Sequence, residues 1–225
     1  MPTDPRAELP LSEDSTTALF AGPRQADRRL VLLHGWGADA DDLLDLGAVL
    51  LEADPTAIGL SVVALRAPLT HPAGLGRQWY DLQQPEWPQL PEARRALRQR
   101  LLALGASVPL ERTCLLGFSQ GAAMAIDVAT GGGPEASESL PLAGLVACSG
   151  YPHPDWQPRT PKTEILLTHG EQDPVVPFAA SEALERSLAE AGGSVRRIAF
   201  PGGHSIDPEL IAPMREFLVR GWNGR

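Results

Sequence analysis

Five residues, Gly117-Phe118-Ser119-Gln120-Gly121, constrain the fold more than any other part of the chain. An apolar run (Cys114, Leu115, Leu116) leads in and a small-residue run (Ala122, Ala123, Ala125, Ile126) leads out, the pattern of a strand turning directly into a helix. A G-x-S-x-G turn in that setting holds serine in a strained corner, with glycine where a side chain would strike the neighbouring strand or helix. The hydroxyl is exposed at a helix N-terminus, where free N–H groups favour developing negative charge. An ordinary serine N-cap is the plain alternative. The strand–turn–helix context favours a nucleophile.

The rest of the chain fits that corner. Apolar strand-like runs at 30–33, 60–65, 113–118, 142–147, 164–168 and 195–200 alternate with helical patterns at 91–104, 179–191 and 210–220. Continuously apolar strands suit a mostly parallel central sheet covered by helices on both faces, an α/β architecture. The 225 residues, 43% of them hydrophobic, suit one domain over 16–225, preceded by a loose polar lead-in at 1–15. Segments 131–139 and 151–163 read as loops, and Gly131-Gly132-Gly133 lacks the Lys-Ser/Thr of a phosphate cradle.

A serine hydroxyl needs a base, and the base needs a carboxylate to orient it. Three histidines follow Ser119: His153, His169 and His204. His204 lies in Pro201-Gly202-Gly203-His204-Ser205, after the last strand and before the last helix, where a loop can lower an imidazole onto the sheet edge. His169 is expected to pack or to cap its turn. Asp173, just past the preceding strand, is expected to accept the imidazole Nδ1–H, with Glu171 as its competitor. Asp207 reads as the N-cap of the final helix, and Asp127, inside the helix after Ser119, is expected to point away from the nucleophile.

An oxyanion hole would combine the Gln120 N–H with one from Leu32-Leu33-His34-Gly35-Trp36-Gly37, where the Trp36 N–H is the choice. His34 is expected to pack beneath that loop. Trp79 has two readings, a wall of the acyl-binding pocket or part of the core. Trp87, in a proline-rich stretch, is either a lid residue or a proline-packed surface aromatic.

Five segments in one order carry a resemblance: Leu33-His34-Gly35-Trp36-Gly37, Trp79-Tyr80-Asp81, Gly117-Phe118-Ser119-Gln120-Gly121, His169-Gly170-Glu171-Gln172-Asp173 and Gly203-His204-Ser205-Ile206. From about residue 28 onward the chain resembles the phospholipase/carboxylesterase family that includes the acyl-protein thioesterases. The resemblance implies the α/β-hydrolase fold, with Ser119 as nucleophile, Asp173 as acid and His204 as base. It also implies oxyanion donors at Gln120 and Trp36, and hydrolysis of carboxylic esters or thioesters without a cofactor. Relatives often pair as homodimers and act on short-to-medium acyl esters, lysophospholipids or S-acylated proteins.

The sequence departs from the family at Trp36, where leucine is usual and the larger ring is expected to thicken the acyl-facing wall, and at 82–90 (LQQPEWPQL), which is shortened and proline-rich. Position 91–97 also lacks the family's acidic lead-in. These departures put short-to-medium acyl substrates first. Two other readings share the fold: a dienelactone hydrolase-like enzyme, against which stands serine rather than cysteine at 119, and a non-catalytic binding protein, which usually lacks a triad member.

Composition narrows the rest. A net charge of -9 argues against nucleic acid as the partner, since phosphate binding needs a basic face. No apolar stretch approaches the roughly 20 residues that span a bilayer, so no stable membrane insertion is expected. The N-terminal segment lacks a signal-peptide pattern, and the only two cysteines, Cys114 and Cys148, lie in apolar runs as free thiols, which together point to the cytoplasm. The five histidines show no metal-ligand spacing, so no metal site is expected.

Overall fold

Seven strands build one sheet, and its order explains where the serine corner sits. The computed structural model describes residues 17–22, 26–51, 59–134, 136 and 138–224; the lead-in expected at 1–15 lies outside them. The strands are β1 (Ala18–Ala21), β2 (Arg28–Leu33), β3 (Leu60–Leu65), β6 (Thr113–Phe118), β7 (Gly144–Cys148), β8 (Ile165–Gly170) and β9 (Val195–Phe200), ordered β1-β3-β2-β6-β7-β8-β9. Only β1 runs antiparallel, against β3. A two-stranded hairpin of β4 (Leu69–Thr70) and β5 (Arg77–Gln78) stands apart from the sheet.

Helices cover both faces, as the buried strands require. Side chains of α2 (Leu90–Leu104), α3 (Gln120–Thr130) and α4 (Ala179–Glu190) pack with Val31, Leu33, Val63, Leu115 and Leu145 on one face. Those of α1 (Asp41–Leu51) and α5 (Ile211–Asn223) pack with Leu30, Leu32, Val62, Leu116 and Val146 on the other. Alternation along β2, with Leu30 and Leu32 facing one way and Val31 and Leu33 the other, is the two-residue period of a strand read directly in its burial partners.

The expected strands at 60–65, 113–118 and 195–200 coincide with β3, β6 and β9, and the others shift by one to two residues at their ends. The helical patterns of 91–104, 179–191 and 210–220 appear as α2, α4 and α5. Not foreseen were β1, the β4–β5 hairpin and α1. The hairpin strands are two residues each, too short for a period to register. Cys114 and Cys148 are buried free thiols, and burial pushes the Cys148 thiol up to about 11. Among the described residues no helix is long and apolar enough to cross a membrane.

Candidate active site

Ser119 ends β6 and begins α3 in a backbone conformation that few residues adopt, φ 54° and ψ −119°. Its N–H donates to Cys148 O at 2.9 Å, which fastens the corner to β7. The flanking glycines are sterically required. A Cβ on Gly117 would lie 2.5 Å from Gly121 O, and one on Gly121 would lie 2.2 Å from Leu33 O. Ser119 occupies the N-cap position of α3, yet its side chain makes no capping hydrogen bond. The hydroxyl instead meets His204 Nε2 at 3.0 Å.

His204 also meets Asp173, its Nδ1 lying 2.7 Å from Oδ2. The other carboxylate oxygen accepts the Val175 and Val176 amides at 2.8 and 2.9 Å, so Asp173 is fixed by its own turn before it orients the imidazole. Burial alone would raise the Asp173 carboxyl; the hydrogen bonds from His204 and from the Val176 and Val175 amides outweigh it and hold the group below the usual carboxylate value. Gly170, at the end of β8, lets the histidine loop reach this carboxylate. A Cβ there would stand 2.3 Å from both Gly202 O and Gly203 O. The Phe118 ring packs on the His204 ring at 4.9 Å between centroids.

Of the groups that the sequence sets aside, His169 packs at its turn as expected, whereas Asp207 caps a 3-10 turn rather than the final helix itself, whose N-cap position is Leu210. His169 Nε2–H donates to Val176 O at 2.9 Å and so supports the Asp173 turn. The Asp207 carboxylate accepts the Glu209 N–H at 2.8 Å, capping the short 3-10 turn Pro208–Leu210 that leads into α5. Glu171 is exposed.

The loop at 34–37, where the second oxyanion donor is expected, is held from beneath and from above. His34 is buried, and its Nε2 accepts the Ala67 N–H at 3.1 Å, which leaves Nδ1–H to donate to Gly35 O at 2.8 Å. Burial lowers the His34 pKa and favours the neutral ring that this pattern needs. Above, the β4–β5 hairpin clamps the loop: Gly37 N–H donates to Arg77 O at 2.9 Å, and Arg77 N–H donates to Ala38 O at 2.8 Å. Among the described residues the Trp36 and Gln120 amides donate to no group of the chain.

Two tryptophans for which the sequence offers an acyl-facing reading pack elsewhere. The Trp36 ring, expected to thicken the acyl-facing wall, is turned onto the hairpin, where Nε1–H donates to Gln78 Oε1 at 2.7 Å and the ring meets His71 edge-on at 4.1 Å. Of the two readings of Trp79, pocket wall and core, the side chain takes the core: it is only 1% exposed, and its Nε1–H donates to His34 O at 2.9 Å. It supports the 34–37 loop from the core, because its indole N–H finds its acceptor there. The Gln120 side chain completes this support, accepting the Trp79 N–H at 3.0 Å and donating to Tyr80 O at 2.7 Å.

Sequence reasoning missed a second hydrogen-bonded chain. Asp127 does point away from Ser119; its Oδ2 meets His153 Nδ1 at 2.6 Å and the buried Arg94 Nη2 at 2.6 Å. His153 Nε2 meets the Tyr80 hydroxyl at 2.9 Å, and that hydroxyl meets Tyr151 at 2.6 Å. Asp155 binds the outer side of Arg94 at 2.7 and 2.9 Å. The signal was Asp127 itself: a carboxylate in the otherwise apolar run Ala-Ala-Met-Ala-Ile-Asp-Val-Ala requires a buried partner.

A serine corner between a parallel strand and a helix, with Asp173 and His204 on the loops after β8 and β9, is the arrangement of the α/β-hydrolase fold. The chain matches the Phospholipase/Carboxylesterase family model over residues 16–220, and it belongs to that family. It is 30% identical over 200 residues to the esterase YpfH of Escherichia coli, covering 82% of this chain and 78% of that one. It is also 30% identical over 128 residues to an acyl-protein thioesterase 1 of Neurospora crassa, covering 52% of this chain and 49% of the relative. Against several curated relatives the match thus spans about half of their length. Among solved structures, the esterase PE8 superposes with a TM-score of 0.77 at 27% identity, covering 91% of this chain and 98% of PE8. The Bacillus cereus carboxylesterase, at 19% identity and a TM-score of 0.75, shares the fold.

Proposed function

We propose that residues 16–225 act as one serine hydrolase domain that cleaves carboxylic esters or thioesters of short-to-medium acyl chains through an acyl-enzyme. The observation that carries this reading is the single imidazole of His204 held between Asp173 and Ser119, at 2.7 and 3.0 Å. Ser119 Oγ attacks the acyl carbonyl carbon while His204 Nε2 takes its proton. The carbonyl oxygen becomes an oxyanion that accepts the Gln120 and Trp36 amides, a pair in which one lost donor typically costs about 10²–10³ in rate. Asp173 holds the imidazole in the required tautomer and stabilises the imidazolium.

The tetrahedral intermediate then collapses. The bond to the alcohol or thiol breaks, and that group leaves with the proton from His204. Water next attacks the acyl-enzyme with His204 as base, and the acid departs as Ser119 regains its proton. Water is the only co-reactant. The substrate in this reading is a small acyl ester or thioester, met in the cytoplasm, and homodimers follow the family habit.

A series of p-nitrophenyl esters from acetate to palmitate, with wild type and Ser119→Ala, tests the reading. Turnover that is greatest on short-to-medium chains and lost in the variant is expected. Serine-independent turnover would overturn it, and no turnover on any ester by the folded protein would favour a binding protein.

A further inference from the structure

The strip of chain from Arg77 to Tyr80 bonds to the loop at 34–38 or to Gln120 through every one of its residues. Arg77 pairs with the loop by its main chain, its O accepting the Gly37 N–H at 2.9 Å and its N–H donating to Ala38 O at 2.8 Å. Gln78 Oε1 accepts the Trp36 indole N–H at 2.7 Å. Trp79 donates twice, its indole N–H to His34 O at 2.9 Å and its main-chain N–H to Gln120 Oε1 at 3.0 Å. Tyr80 O accepts the Gln120 side-chain N–H at 2.7 Å. One strip therefore holds both the loop that carries the Trp36 amide and the residue that carries the Gln120 amide, and Trp79 bonds to both.

That link matters because the sheet does not supply it. The two amides follow β2 and β6, whose last paired residues are Leu33 and Gly117, so the ladder stops before either donor. The strip carries the connection on from there and lies hard against the loop: a Cβ on Gly76 would stand 2.0 Å from Gly37 O. Trp79, Gln120 and His34 are each 1% exposed or less, and in such surroundings a hydrogen bond is strong and an unpaired group costly.

Trp79 also bears on the direction of the Trp36 N–H. That N–H shares a planar peptide unit with the Gly35 carbonyl, which accepts His34 Nδ1–H at 2.8 Å. The His34 imidazole thus sets the plane of the donor, and the Trp79 ring lies against it at 5.7 Å between centroids. The far end of the strip is anchored as well. The Tyr80 hydroxyl meets His153 and Tyr151, and the Trp87 ring packs on the Tyr80 ring at 5.2 Å.

Resting on the reading of Ser119 as nucleophile with the Trp36 and Gln120 amides as oxyanion donors, we propose that Trp79 is a positioning residue that sets the spacing of those two donors. An oxyanion accepts from both only when each lies about 2.7–3.1 Å from it, so displacing either amide weakens the transition state more than the ground state. Trp79 is itself buried and acts through His34 and Gln120.

The test replaces the substrate's carbonyl oxygen by sulfur, which accepts hydrogen bonds weakly and gains little from well-placed donors. Phenyl butyrate and phenyl thionobutyrate are compared on wild type, Trp79→Phe and Gln120→Met, with the oxygen-to-sulfur ratio of kcat/KM as the readout. Trp79→Phe keeps an aromatic ring in the core and removes the indole N–H. It is expected to lower the ratio by about tenfold or more, where a whole lost donor typically costs about 10²–10³ in rate. The loss on the ester should fall on kcat, with KM little changed. Gln120→Met keeps the main-chain N–H and removes both side-chain bonds to the strip; it is expected to lower the ratio too, and it decides the question if the phenylalanine variant does not fold. A merely structural defect slows both substrates alike, so ratios equal to wild type in active variants would overturn the proposal however far kcat falls. Failure of the underlying reading is distinct, since Ser119→Ala would then keep its turnover.

Discussion

Two chains of acid, imidazole and hydroxyl run through this fold, and only one ends in a serine on a strained corner. Asp173–His204–Ser119 and Asp127–His153–Tyr80 use the same order of groups at similar distances, 2.7 and 3.0 Å against 2.6 and 2.9 Å. The differences lie in what surrounds them. Asp173 accepts amide N–H groups and, among the described residues, bonds no arginine, so its charge is available to an imidazolium on His204. Asp127 is already neutralised by Arg94. The hydroxyl of the first chain belongs to a serine on a strained corner beside two free amides, whereas that of the second is a buried phenol whose pKa burial drives upward. Hydrogen-bond order alone does not make a triad. Access, a free carboxylate charge and donors for the oxyanion do.

Removing the hydroxyl from each chain gives the largest expected contrast. Ser119→Ala should lower kcat on a p-nitrophenyl ester by about 10⁴–10⁶-fold, with a thermal midpoint near that of wild type. Tyr80→Phe should instead lower stability by about 1–3 kcal/mol, measured by urea unfolding, since it leaves His153 Nε2 and the Tyr151 hydroxyl without their partner. A catalytic loss in the phenylalanine variant as large as that of Ser119→Ala would erase the distinction.

The two acids should separate in the same way. Asp173→Asn is expected to cost about 10⁴ in kcat, because the amide favours the wrong imidazole tautomer. Asp127→Ala should cost about 3 kcal/mol of stability in denaturant titration, the low end for a broken buried ion pair, because Asp155 still holds the guanidinium. An Asp127 variant as stable as wild type would mean that the second chain braces nothing.

The smallest effect concerns pH. The Asp173 carboxyl is held below its ordinary value, so its contribution to stability is fully present above the unfolded carboxylate pKa of about 3.9 and is lost as pH falls through the lower folded value. Wild type should therefore lose stability more steeply below about pH 4 than Asp173→Asn. Parallel acid limbs in the two proteins would count against the hydrogen-bonded carboxylate.

Much of the first chain could be read from residues, and little of the second. Ser119 was announced by glycines that a sharp corner demands, and Asp173 and His204 by strand-end positions, because each local pattern there has a steric cause. His34 and His169 were also placed correctly as supports. His153, Tyr80 and Arg94 come from three separate segments and meet only through folding, so no local spacing marks them. The packing of Trp79 and Trp36 is hidden from the sequence for a related reason. Their indole N–H groups choose an acceptor, His34 O or Gln78 Oε1, that the sequence cannot locate. The β4–β5 hairpin escaped because it is held by the oxyanion loop rather than by its own pattern.

The central claim is that Ser119, activated by His204, is the nucleophile. A fluorophosphonate probe, followed by peptide mass spectrometry, tests it directly on wild type, Ser119→Ala and His204→Ala. The adduct is expected on the peptide containing Ser119, absent in the serine variant and strongly slowed in the histidine variant. Labelling that persists in Ser119→Ala, or a folded wild-type protein that resists the probe, would contradict the account.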